Sequence, residues 1–356
     1  NFMRKALFIF TAFTASLFVA CKKDHDPIFN VPPTNGAQVQ LNGLISSEPG
    51  SAAGNSVYLD LSSGTTTPVA RASWDLGFYC GSDFRVILNN TTGAGAKLLS
   101  KNDLTLVDAA DTVGLTLSVN LLNPLPSDMA YFDDINGSLA GTVIPEVSAN
   151  ATDNKVIIIN RGTGGGIAAR PWIKIRVLRN AGGGYTLQYA GITATTFKTL
   201  QINKDAAYHF RYVSFDKGLV NVEPEKARWD IVWSYSLYMA NFGAGMVPYS
   251  FSDMIATNYL SGIQVKEIKY TNAATANAAY TAYNMDSVHT ISLTTDRWGI
   301  GSKWRSTQPA TGARLDRFYI IKDYNNNYYK LKCLAMGIGG DGGTRGKPEF
   351  KFERIQ

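Results

Sequence analysis

Two phrases decide how this chain is read: ARASWDLGF at 70–78 and KARWDIVW at 226–233. Each runs from a basic residue to Trp-Asp, an aliphatic residue and, two positions further on, an aromatic. The two Trp residues stand 229 − 74 = 155 positions apart. Propeller blades marked by a Trp-Asp pair recur about every 40–45 residues, so the spacing excludes a propeller. Alternate side chains of a strand share a face. That places Trp74, Leu76 and Phe78 together, and likewise Trp229, Ile231 and Trp233, as core residues. Asp75 and Asp230 then face the other way, where a carboxylate satisfies backbone amides of a neighbouring turn.

The flanks repeat too. VYLDLSSG at 57–64 and YVSFDKG at 212–218 are alternating strands ending in a Gly turn, with Trp ten or eleven residues on. NRGTG at 160–164 is matched by DRWGIG at 296–301. The strand at 172–178, a Gly turn and the strand at 185–189 are matched by 318–322, an Asn turn and 328–332. The closing stretches 197–201 and 350–356 also correspond. A conserved order across four elements reads as an internal duplication. The runs 85–88, 155–159 and 264–270 are β-branched or alternating, and 182–184 and 325–327 carry residues suited to hairpin turns. Helical pattern is confined to 145–150 and 273–283. The expectation is an all-β protein of two tandem antiparallel β-sandwich-like domains, 37–203 and 204–356.

The bulk numbers agree. A chain of 356 residues holds two ordinary domains, since one core seldom serves more than about 250–300 residues. Only 17% of residues are charged, against a typical value of roughly 25%. The net charge of +6 is spread along the chain, with no basic run interleaved with aromatics, which argues against nucleic acid as a partner. Residues 1–21 read as a signal peptide: Arg4 and Lys5 precede an apolar run to Ala20, shorter than the roughly 20 residues a membrane span needs. Its end, LFVAC at 17–21, resembles the lipobox of bacterial lipoproteins and makes Cys21 the lipidated residue. Acyl chains would then anchor the protein at about 0.8 kcal/mol per buried CH2. KKDHD at 22–26 resembles the export signal that routes Bacteroidota lipoproteins to the outer face of the outer membrane, and 22–36 reads as a tether. Cys80 and Cys333 read as buried free thiols, because no disulfide framework and no Cys/His zinc spacing is present.

Three stretches look chemical and are not. GIGGDG at 337–342 satisfies G-x-G-x-x-G but opens no helix, and GTGGG at 162–166 runs on to Pro171 and a strand, so neither has the helix N-terminus of an anion cradle. DYNNN at 323–327 starts like a calcium loop, yet Tyr328 stands where Gly is required and no Glu follows at the twelfth position. It reads as a hairpin turn. Asp133 and Asp134 are adjacent and point apart, and no nucleophile elbow or triad setting occurs. The expectation is a protein that is not an enzyme.

The run 212–222, Trp229-Asp230-Ile231 and the hairpin 318–332 resemble the HmuY family of Bacteroidota outer-membrane lipoproteins. Trp74-Asp75-Leu76, 84–88 and 170–189 look like a second copy. The resemblance implies an all-β fold that captures haem and passes it to a TonB-dependent outer-membrane receptor, with a lipid anchor as its only membrane attachment. Family members hold the haem iron with His or Met, both chemically suited to it. Carried onto this sequence, the second ligand position falls near Arg305, and the first falls within 271–290, where Met285 and His289 stand. Met246 and Met254 are further haem-binding candidates. The alternative is the same fold binding a non-haem ligand, either a glycan or a protein partner. Trp172, Trp233, Trp298 and Trp304 are the one feature favouring glycans. Functional residues are expected in the loops that the halves do not share, above all 271–305.

Overall fold

The computed structural model describes residues 32–243 and 245–356. The expected signal peptide, Cys21 and most of the tether therefore lie outside the described residues. Thr34–Gln356 form one compact unit.

The first half supplies β1 (Gly36–Gln40), β2 (Asn55–Asp60), β3 (Thr65–Ala70), β4 (Leu76–Tyr79) and β5 (Val86–Leu88). It continues with β6 (Gly95–Leu98), β7 (Ile157–Asn160), β8 (Ile173–Arg179), β9 (Tyr185–Gly191) and β10 (Lys198–Ile202). The second half supplies β11 (Phe210–Ser214), β12 (Gly218–Val220), β13 (Ile231–Asn241), β14 (Met246–Thr257) and β15 (Gln264–Lys269). After helices α1 (Ala273–Ala282) and α2 (Met285–Val288) come β16 (Arg305–Ser306), β17 (Gly312–Ala313), β18 (Arg317–Lys322), β19 (Tyr328–Ala335) and β20 (Glu349–Arg354).

All-β architecture is what forms, but not as two self-contained domains. The four-stranded sheets run β12-β11-β4-β5 and β3-β2-β13-β14, so each half lends its opening hairpin to the Trp-Asp strand of the other. The boundary expected at 203/204 therefore cuts through both of these sheets. The reason lies in hydrogen bonding: a Trp-Asp strand has β5 or β14 on one edge and needs a partner on the other. The opposite hairpin provides it. The five-stranded sheets are β10-β9-β8-β7-β6 and β1-β20-β19-β18-β15, and in the latter the first strand zips against the last.

Each four-stranded sheet packs against a five-stranded one. One core joins Val57, Leu59, Ile231 and Trp233 to Tyr329, Leu331, Phe350 and Phe352. The other joins Leu76, Phe78, Val86 and Leu88 to Ile157, Ile175, Tyr185 and Leu187.

The exchange is reciprocal in detail. Asp75 donates its amide to Val213 O (2.8 Å) and accepts the Phe215 amide on Oδ2 (2.9 Å). Asp230 does the same with Leu59 O (2.9 Å) and the Leu61 amide (2.8 Å). Trp74 meets Tyr212 edge-on at 4.8 Å between centroids, and Trp229 meets Tyr58 at 5.0 Å. Asn89 and Asn258, both buried, donate to the Trp74 and Trp229 carbonyls at 2.8 and 2.9 Å. Gly64 and Gly218 close the two hairpins at positive φ (72° and 78°), a backbone region open to glycine.

One expectation is corrected. Trp74 and Trp229 are buried but do not share the face of Leu76 and Phe78 or of Ile231 and Trp233. They join their Tyr partners on the opposite side of the sheet. The strands begin only after the Asp, whose double tie to the partner hairpin breaks the alternation one residue earlier. The helical patterns divide: 273–283 becomes α1, capped by Asn272 accepting the Thr275 amide at 2.9 Å, whereas 145–150 is irregular. Between β6 and β7, residues 99–156 make single 3-10 turns and no strand.

Candidate functional site: a cavity between the exchanged sheets

The faces of the two four-stranded sheets that carry the Trp–Tyr pairs enclose a cavity of about 140 Å³. Tyr58 and Tyr212, Trp74 and Trp229 line it from the two halves, and Met254 and Leu237 line it from the long hairpin β13–β14. Part of the 99–156 excursion closes it. The second half holds that segment down: Trp298 Nε1 donates to Ile135 O at 2.8 Å, and the Tyr259 hydroxyl to Gly137 O at 2.6 Å. Asp133 ties the segment to the first half by accepting the Leu88 and Val143 amides at 2.7 and 2.8 Å. Burial pushes its carboxyl up to about 6 despite those two bonds.

The wall beside Tyr212 is polar. Glu223 Oε1 accepts the His209 and Phe210 amides at 3.1 and 3.0 Å. Burial pushes the Glu223 carboxyl up to about 8, so it carries its proton at neutral pH. His209, buried and with Nε2 2.7 Å from Ser261 Oγ, is pushed down to about 4 by burial and by nearby Lys226, and is neutral. Arg297 sits at the edge, its guanidinium 5.0 Å from the Trp298 ring and donating to Ile135 O at 3.4 Å. This wall combines two phenols, a neutral acid and a neutral imidazole. It suits hydrogen bonding to an uncharged guest.

Outside the cavity, its lining continues into a thioether–aromatic rim. Met129, Met239 and Phe251, half-buried, pack with Tyr131, Tyr238, Trp298 and the buried Met254 in one cluster. An edge-to-face chain of rings runs from Trp298 through Tyr238, Phe251 and Tyr249 to Phe242, at 5.3, 5.9, 5.2 and 5.1 Å. Phe242 and Met246, at the tip of the β13–β14 hairpin, are exposed.

The four haem-ligand candidates are not brought together. Met285 opens α2, half-buried beside Tyr283 and Phe318, and His289 ends it, exposed. Side by side on one short helix, they do not oppose one another as two axial ligands must. Met254 lines the cavity and Met246 is out at the hairpin tip. Arg305 is buried, with Nη2 donating to Ser252 O at 2.6 Å. The loops 271–305 thus contribute Arg297 and Trp298 to the site, while Tyr58, Tyr212, His209 and Glu223 went unremarked as site residues. The tyrosines carried a signal: each stands six residues before its turn glycine in the repeated flank. Nothing comparable marks Glu223.

The remaining motifs resolve structurally. In the 337–342 loop, Asp341 takes the Met336, Gly337 and Gly343 amides at 2.8, 2.8 and 3.1 Å, leaving them unavailable to a phosphate. In the 162–166 loop it is carbonyls that converge: Gly164 and Gly165 accept from buried Arg71 at 2.9 and 2.8 Å. Asp323 caps its own turn through the Asn327 amide and side chain, at 2.7 and 2.8 Å. Trp233, Trp298 and Trp304 are buried and form no exposed platform for a sugar ring. Cys80 and Cys333 are unpaired. No cluster of His, Cys, Asp and Glu able to hold a metal ion occurs among the described residues.

A family model described as HmuY protein matches residues 52–352. The match is continuous across both halves, in keeping with a single interleaved unit. No curated protein and no solved structure matches the chain.

Proposed function

The chain belongs to the HmuY family, and on that premise we propose that it is a surface lipoprotein, not an enzyme, that binds haem as cargo and hands it to a TonB-dependent outer-membrane receptor. Cys21 would carry the lipid anchor. The observation that supports haem is the rim: three thioethers, from Met129, Met239 and Met254, stand among edge-to-face aromatic rings. Thioether sulfur ligates haem iron, and apolar rings suit the porphyrin faces. The inner cavity is far too small for a porphyrin, so the cargo belongs on the rim, between the β13–β14 hairpin and the 119–135 segment. There Met239 and Met129 are the reachable ligands.

Haem titration of the purified chain, followed at the Soret band in both redox states, tests this reading. A saturable band is expected, weakened at least tenfold by Met239→Ala or Met129→Ala. A flat difference spectrum at micromolar haem would sink it. Loss of the band in Met285→Ala or His289→Ala, with the rim variants unaffected, would move the cargo to α2.

A second reading has its own support: the sequence-derived ligand candidates do not converge, and the enclosed site is small and hydrogen-bonding. In that reading the same fold serves a non-haem ligand or a protein partner. The buried Trp side chains speak against a glycan.

A further inference from the structure

The cavity between the exchanged sheets has no role in holding haem on the rim, yet it is built as a binding site. Its volume of about 140 Å³ is close to that of an engineered apolar protein cavity of about 150 Å³ that takes up benzene. Its walls are aromatic on both sides, through the edge-on pairs Trp74–Tyr212 and Trp229–Tyr58. Unlike an apolar void, it also presents polar atoms on side chains more than nine-tenths buried. Tyr58 is 8% exposed and lines the cavity with no side-chain hydrogen bond to a described residue. Glu223, 7% exposed, uses Oε1 for two backbone amides. The Glu223 carboxyl and the Tyr212 phenol are hydrogen-bonded to each other on the polar wall. A guest that bonds to the Tyr58 hydroxyl makes a hydrogen bond that the protein itself leaves unmade.

We propose that this cavity binds an uncharged single-ring aromatic compound bearing a hydroxyl group, with the ring among the Trp–Tyr pairs and the hydroxyl between Tyr58, Tyr212 and Glu223. The ring size follows from the volume. The lack of charge follows from the wall: the imidazole of His209 and the acid of Glu223 are both neutral near pH 7, and Asp133 and Asp134 lie alongside the one cation, Arg297. A guest carboxylate would meet those acids. The hydroxyl requirement follows from the unpartnered Tyr58 phenol.

Fluorine NMR of the purified chain with 4-fluorophenol, fluorobenzene and 4-fluorobenzoate tests the assignment. 4-Fluorophenol should saturate within about 10 mM and bind at least tenfold tighter than fluorobenzene. In the Tyr58→Phe/Tyr212→Phe double variant that advantage should vanish while fluorobenzene binding persists, showing that the cavity is intact. Ala256→Leu, which fills the cavity, should abolish both signals. Equal affinity for the phenol and fluorobenzene would overturn the proposal, as would tightest binding of the benzoate or no saturable shift with any probe. The double variant should leave the haem titration unchanged, so failure here and failure of the haem reading are told apart.

Discussion

Asp75 and Asp230 occupy matching positions in the two halves of the chain, and they solve the same problem with opposite electrostatics. Both are buried and both tie their strand to the exchanged hairpin. Around Asp75 the chain has placed cations: Arg161 grips it with two bonds at 2.8 and 2.9 Å, and Arg170 approaches to 3.3 Å. Arg161 also reaches Asp216 at 2.6 Å. Among the described residues no cation pairs with Asp230. Burial, with Asp60 and Asp323 nearby, holds its carboxyl well above the usual range. The geometry shared by the two halves is therefore the amide tie, and the charge is free to differ.

The sharpest way to break that comparison is substitution by Asn, which keeps an acceptor and removes the charge. Asp75→Asn leaves Arg161 buried with half its counter-charge and should cost about 3–5 kcal/mol in urea unfolding. Asp230→Asn keeps the acceptor for the Leu61 amide and strands no buried cation, so it should stay within about 1 kcal/mol of the parent. Equal losses at the two sites would refute the distinction.

The next effect is in pH. Glu223, at about 8 when folded against an ordinary 4.5, binds its proton more tightly in the native state. Stability should therefore be greatest at and below about pH 4.5 as far as this group is concerned, and be lost as pH rises toward 8. Asp230, also raised, adds to the same slope. His209 acts in the other direction: depressed to about 4 from 6.5, it removes stability as pH falls through that interval. Denaturation at pH 6 and 8.5 should show a loss in the parent that Glu223→Gln reduces, and an unchanged slope would contradict the burial of that carboxyl.

The smallest effect lies in the edge-on rings. Double-mutant cycles for Trp74 with Tyr212 and for Trp229 with Tyr58 should each give coupling of about 0.5–1.5 kcal/mol. Near-equal values would extend the likeness of the halves from geometry to energy, and absence of coupling in one would mark where they diverge.

Much of this fold could be read from residues. The Trp-Asp strands, their hairpins and the turn glycines were legible because each depends on local pattern. Partner choice was not, since VYLDLSSG and YVSFDKG offer equivalent edges to either Trp-Asp strand and no period in the chain says which one each will join. The face of Trp74 and Trp229 escaped for a related reason: strand alternation fails where a side chain, here Asp75 or Asp230, ties the backbone to a distant segment. Of the site, the paired tyrosines were visible in the repeated flanks. Glu223, beside Pro224, looks like an exposed turn residue until the His209 and Phe210 amides turn toward it.

The zipping of β1 against β20 sets an order of events for the growing polypeptide. Val39 faces Phe350 and Ala37 faces Phe352, so the edge of β1 stays bare until residues 349–353 have been made. The same wait applies to β2, whose partner strand begins at Ile231. Such distant pairings are slow to form, in contrast to the β6–β10 sheet, whose five strands all lie within residues 95–202. If the chain is exported as proposed, late pairing of these two sheets suits passage as an extended polypeptide.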